Sequence, residues 1–95
     1  MIKTEITIFA RFRETFGSHR TIEFEESSEV YLKDALKKLC DETKGGFEIL
    51  FDDDGEFLDS VLLMHNKKRV DPDEADKIII KDGDGIVLYP PVSGG

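Results

Sequence analysis

Apolar residues near the start of the chain fall on every second position, with Ile6, Ile8 and Ala10 on one side and Thr7 and Phe9 on the other. Successive side chains of a strand point to opposite faces, so this period predicts a β-strand over Ile2 to Phe12. Gly17-Ser18-His19 marks a turn, and Arg20 to Glu25 repeats the alternation with Ile22 and Phe24 against Thr21 and Glu23. The two runs predict an antiparallel hairpin with a longish loop. From Val30 to Thr43 the spacing changes: Leu32, Ala35, Leu36, Leu39 and Cys40 fall at i, i+3, i+4, i+7 and i+8, the stripe of an amphipathic helix. Ser27 and Ser28 are available to cap its start, and Lys44-Gly45-Gly46 supplies a cation and turn-tolerant glycines at its end.

Phe47 to Ser60 lacks a period and reads as a loop with at most one helical turn. Val61 to His65 reads as a strand, Asn66-Lys67-Lys68 as a turn, and Arg69-Val70 as a brief return that Asp71-Pro72-Asp73 ends. Lys81-Asp82-Gly83-Asp84-Gly85 is a turn before a last strand over Ile86 to Tyr89. One helix among four to five strands predicts an α+β domain, a mixed sheet packed on one main helix. Its core takes Ile6/Ile8, Ile22/Phe24, Val61/Leu63 and Ile86/Leu88 together with the helix stripe. Phe9, Leu62, Met64, Val87 and Tyr89 then point to the other side, where a chain this short has nothing left to cover them, and an apolar cluster so exposed marks a contact surface.

Pro90-Pro91 interrupts the last strand, because proline donates no backbone N–H and its φ is fixed, so the ladder ends there. Beyond the prolines come Val92-Ser93-Gly94-Gly95. These four residues reach at most roughly 13 Å at about 3.3 Å each, enough to enter another protein's active site while the folded body docks outside. Glycine has no Cβ, so Gly94 and Gly95 suit a narrow channel that grips a reacting carboxylate. A carboxylate is a poor acyl donor at neutral pH and must first be activated, most simply as an acyl-adenylate formed from ATP.

Ninety-five residues suffice for one domain with one modest core. The formal net charge of −8 disfavours nucleic acid and anionic membranes and makes a basic partner surface the expected match. No apolar run approaches the roughly 20 residues of a membrane helix, and the start lacks a signal peptide's basic region, so a cytoplasmic location is expected. The single cysteine, Cys40, lies on the apolar helix stripe and reads as a small core residue with an unreactive thiol.

Metal and nucleotide chemistry find no support. Setting Gly55 at position six of a calcium loop puts Leu50 at position one and Val61 at position twelve, so Asp52-Asp53-Asp54-Gly55-Glu56 lacks the bidentate carboxylate. His19 and His65 have no ligand partner at useful spacing. No glycine-rich phosphate loop ending in Gly-Lys-Ser/Thr occurs, so the chain is expected to bind no cofactor, and the ATP belongs to a partner.

Phe9-Ala10-Arg11-Phe12-Arg13-Glu14, Gly17, Asp34-Ala35-Leu36, Lys81-Asp82-Gly83-Asp84 and Pro90-Pro91-Val92-Ser93-Gly94-Gly95 together resemble the ubiquitin-like MoaD family, the small subunits of molybdopterin synthase. Phe51-Asp52-Asp53-Asp54-Gly55-Glu56-Phe57-Leu58-Asp59 is similar to the acidic insert of the small archaeal modifier branch. The resemblance implies a β-grasp domain over residues 1–91 with first and last strands parallel at the sheet centre, and a flexible diglycine tail over 92–95. It implies a carrier rather than an enzyme: a ubiquitin-activating-type enzyme adenylates Gly95, with Gly94, Ser93 and Val92 in its channel. Phe9 and Tyr89 match aromatic positions of the family's partner-docking face, and together with Leu62, Met64, Pro90 and Pro91 they are expected to dock the partner. The acyl group then passes to target lysines as an isopeptide or becomes a thiocarboxylate that donates sulfur. A dedicated molybdopterin synthase small subunit, bound to the large subunit, and a noncovalent β-grasp binding module are the rival readings.

Overall fold

A computed structural model describes residues 1–25 and 29–91. Strand β1 (Ile2–Ile8) pairs antiparallel with β2 (His19–Phe24) and parallel with β7 (Gly85–Tyr89). β7 in turn pairs antiparallel with β4 (Leu62–His65), and β4 with β5 (Lys68–Val70), giving the sheet order β2-β1-β7-β4-β5. A parallel pair needs a long crossover, and helix α2 (Leu32–Asp41) lies within the segment that joins the hairpin to the later strands. One main helix held by a mixed five-stranded sheet is the β-grasp architecture that the resemblance implies.

The period-two residues explain the packing. Ile6, Ile8, Ile22, Leu63, Ile86 and Leu88 are buried on the inner face beneath the α2 stripe of Leu32, Ala35, Leu36 and Leu39. Each such Leu or Ile contributes roughly 1.5–3 kcal/mol by leaving water. Phe24, expected in the core, is half-buried and packs at its margin. Cys40 is buried, and burial with Asp41 nearby pushes its thiol up to about 12, so it is a core residue with little thiolate at neutral pH. Among the described residues no helix is long and apolar enough to cross a membrane.

Several boundaries differ from expectation. β1 ends at Ile8 rather than continuing to Phe12, because Ala10 adopts φ 57°, in the left-handed region, and turns the chain into a 3-10 turn (Ala10–Phe12) and the one-turn helix α1 (Arg13–Phe16). That turn exposes Ala10 and buries Phe12 and Phe16 instead. The main helix starts at Leu32, not Val30, since Val30 and Tyr31 form β3 and pair with β6 (Ile79–Ile80), a strand the sequence pattern did not predict. Ser27 and Ser28 lie outside the described residues. Asp34 Oδ2 accepts from the Tyr31 N–H at 3.1 Å, which occupies one donor at the helix start. The irregular stretch after Gly46 contains the one-turn helix α3 (Phe47–Leu50) and a bridge between Phe51 and Phe57. Gly46 itself is required by a close approach: a Cβ there would lie 2.8 Å from Phe16 Cε1.

The lower end of the sheet is tied by Asp84. Its carboxylate accepts from Asn66 Nδ2 at 3.0 Å and the Lys81 N–H at 2.8 Å, and His65 Nε2 lies 2.8 Å away. Its carbonyl accepts from the Thr4 hydroxyl and the Glu5 N–H. Asn66 and Lys67, both at positive φ, close the β4–β5 hairpin, and Asn66 Oδ1 accepts from the Gly85 N–H at 2.8 Å. Burial opposes the charge on Asp84, but the hydrogen bonds from Asn66, His65 and Lys81 outweigh it and hold the carboxyl below its ordinary 3.8. A carboxyl lowered in the native state stabilises fully above its unfolded-state value, and that contribution disappears as pH falls through the lower native one. Asp84→Asn is therefore expected to lower the melting temperature at pH about 7 and to cost progressively less below about pH 4, as thermal unfolding across pH would read.

Candidate functional site

The outer face of the sheet carries the apolar residues that the inner core does not use. Cross-strand register sets them in rows, because side chains of directly paired residues share a face. Leu62 lies opposite Tyr89, while Arg69, Met64, Val87, Thr7 and His19 follow one another from β5 across to β2. Phe9, Ala10, Met64, Val87, Tyr89 and Pro90 line a groove of about 330 Å³. Phe9 is held there by its N–H, which donates to the Leu88 carbonyl at 3.0 Å, and the residue remains 51% exposed.

Two choices in this groove work against folding alone. Phe9 occupies the cap of the 3-10 turn without making a side-chain cap bond, where Asp, Asn or Ser would satisfy a backbone donor. Ala10 sits at positive φ, which costs a residue with a Cβ about 1 kcal/mol or more relative to glycine. Strain and suboptimal capping beside an exposed aromatic ring fit a surface kept for binding.

Of the expected docking residues, the structure brings Phe9, Met64, Tyr89 and Pro90 together. Leu62 is beside Tyr89 in register but lines the neighbouring groove with Arg69, Val70, Asp71 and Pro72. Pro91 is exposed at the end of the described chain. Val92, Ser93, Gly94 and Gly95 lie outside the described residues. Val87, placed on this face by alternation but not among the docking residues, belongs to the groove, and so does Ala10, whose left-handed turn carries no sequence signal because alanine is not a turn former. β7 ends at Tyr89, immediately before Pro90, so the groove is built around the residues that lead into the tail.

The remaining candidates have structural partners. Asp52 Oδ1 accepts from the N–H groups of Asp54 at 2.8 Å and Glu56 at 3.0 Å, closing the acidic insert on itself. The Phe51 and Phe57 rings pack 4.5 Å apart beneath it, and Lys33 Nζ pairs with Glu56 at 3.3 Å. The insert is thus pinned to α2. His19 lies 2.7 Å from Glu5, and His65 is tied to Asp84. Among the described residues no three His, Cys, Asp or Glu side chains come together to hold a metal.

Comparison with known proteins agrees with this geometry. The ThiS family model matches residues 6–95. Small archaeal modifier protein 1 of Haloferax volcanii is 33% identical over 91 residues, covering 96% of this chain and 99% of that protein. The molybdopterin synthase sulfur carrier subunit of Drosophila melanogaster is 27% identical over 95 residues, 100% of this chain and 93% of the relative. The crystal structure of SAMP1 from Haloferax volcanii superposes with a TM-score of 0.82 at 29% identity, covering 98% of this chain and 99% of the other.

Proposed function

This chain belongs to the ThiS family of ubiquitin-like carriers, and on that premise we propose that it is a protein modifier and sulfur carrier whose reacting group is the Gly95 carboxylate. The observation that carries the reading is the position of the apolar groove. Its residues Val87, Tyr89 and Pro90 belong to the segment that runs directly into the diglycine, so an enzyme seated on the groove meets the tail at once. The family match running through Gly95 supports the same assignment.

In the proposed reaction a ubiquitin-activating-type enzyme docks at Phe9, Met64, Val87 and Tyr89 and draws Val92 to Gly95 into its channel. A Gly95 carboxylate oxygen attacks the α-phosphorus of ATP, the bond to the β-phosphate oxygen breaks, and pyrophosphate leaves. The acyl-adenylate is then attacked by a sulfur nucleophile or a lysine amine, and AMP leaves with the electron pair of the cleaved acyl–oxygen bond. This chain binds no cofactor of its own in this scheme; it supplies the acyl group, and the ATP-dependent partner places its work in the cytoplasm.

The two outcomes share every step up to the adenylate. The Haloferax relative, named a modifier, favours transfer to lysines of target proteins. The Drosophila relative, named a sulfur carrier subunit, favours a thiocarboxylate handed on within a complex with a molybdopterin synthase large subunit. The proposal is tested by mixing the chain with ATP, magnesium and the adenylating enzyme of its own cells and measuring intact mass. Adenylate on the last residue is the expected product; an unchanged mass with an enzyme that adenylates another carrier would contradict it.

A further inference from the structure

The net charge of −8 is not spread evenly along the chain. Residues 51–60 hold five carboxylates and no cation, and residues 71–77 hold four against the single cation Lys77. The fold sets these two segments across one groove of about 180 Å³, in which Leu58, Val61, Leu62 and Pro72 are apolar lining and Asp59, Asp71 and Asp73 are acids. All three acids are exposed. Among the described residues no Lys, Arg or His lines the groove.

Both walls are fixed to one residue of α2. The Lys33 N–H donates to the Ala75 carbonyl at 3.0 Å, and its Nζ pairs with Glu56 at 3.3 Å. Asp71 Oδ1 accepts from the Asp73 N–H at 3.0 Å, which holds two of the acids side by side. Cations close to these walls do not cancel them. Lys33 pairs with Glu56, Lys77 lies 3.9 Å from Glu74, Lys37 Nζ stands 5.9 Å from the Phe51 ring centre, and Arg69 shares the adjoining depression with Asp71. The nine carboxylates of the two segments outnumber these four cations by more than two to one, so the local field has the sign of the whole molecule.

We infer that this groove takes an Arg or Lys side chain of the activating enzyme, its stem on Leu58, Val61 and Leu62 and its charged end among Asp59, Asp71 and Asp73. Long cationic side chains combine an apolar stem with a charged head, and a groove with apolar lining and carboxylates offers a place to each part. Continuity assigns the occupant to that enzyme: Leu62 lines this groove and lies opposite Tyr89, which lines the docking groove. A partner seated on the docking groove therefore borders the acidic one. The inference rests on the function proposed above, and it gives a location to the basic partner surface expected from net charge. Charges at the rim of an interface act chiefly on the rate of encounter and its salt dependence.

The test is the association rate of the full chain with the adenylating enzyme of its own cells, measured by stopped flow for the wild type, Asp59→Lys, Asp73→Lys and Glu25→Lys. The last makes the same charge change just beyond β2, at the opposite edge of the sheet from β5. Asp59→Lys and Asp73→Lys are each expected to slow association about fivefold in dilute buffer, with Glu25→Lys changing it less than about twofold. The differences should vanish near about 1 M salt, where screening reaches roughly 3 Å. The wild type gives a second reading that needs no variant, since its own association should slow as salt is added. Equal effects of all three variants, or wild-type association that quickens with salt, would overturn the acidic groove while leaving adenylation as proposed. Normal association of the wild type with no adenylate formed would overturn the function instead, and the rate data would still decide the groove.

Discussion

A chain ending at Gly94 is expected to melt like the full one and to accept no adenylate. The first half follows from what is removed, since the core residues among those described run from Ile6 to Leu88 and glycine has no side chain to add to a core. The second half follows from reach. Removing one residue withdraws the carboxylate by roughly 3.3 Å, and a misplacement of about 1 Å at a reacting centre already costs on the order of a hundredfold in rate. The enzyme cannot recover the distance by pulling harder, because Pro90 and Pro91 resist rotation about φ and the groove anchors the strand before them. Intact-mass detection of adenylate, with thermal unfolding as the folding control, checks both halves.

Phe9→Asp is expected to separate binding from folding almost as sharply. The residue is half exposed, so loss of its ring costs the fold little, and Asp at the cap of the 3-10 turn offers an acceptor to backbone donors that Phe9 leaves without a side-chain partner. Stability should therefore hold or rise slightly. Binding should suffer, because an aromatic anchor is lost and a carboxylate would be buried in an apolar groove. An anchor of this kind contributes about 2 kcal/mol or more, which is roughly a 30-fold weaker dissociation constant. Calorimetric titration against the activating enzyme, with melting temperature measured in parallel, is the check.

The parts of the molecule legible from sequence are those governed by local periodicity. Ile6, Ile8, Ile22, Leu63, Ile86 and Leu88 are all buried where alternation put them, and the same alternation carried Phe9, Met64, Val87 and Tyr89 to the outer face. The parts that escaped depend on neighbours distant in the chain. Ile79 and Ile80 form a strand only because Val30 and Tyr31 are there to pair with them, and a continuous run of three isoleucines shows no period by itself. The same pairing withdraws Val30 and Tyr31 from a helix whose spacing they would otherwise extend.

Ala10 illustrates a second limit. Its left-handed backbone ends β1 at Ile8, yet alanine is no turn signal, and the conformation is imposed by the burial of Phe12 and Phe16 beneath it.

The chemical state of the last residue in the cell is the most direct test of a carrier role. Recovered from its own cells and measured by mass spectrometry, a fraction of the protein should carry a thiocarboxylate at Gly95 or an isopeptide bond from Gly95 to a lysine of another protein. A population bearing only an unmodified carboxylate, in cells that contain the activating enzyme, would contradict the claim that this fold exists to present that group.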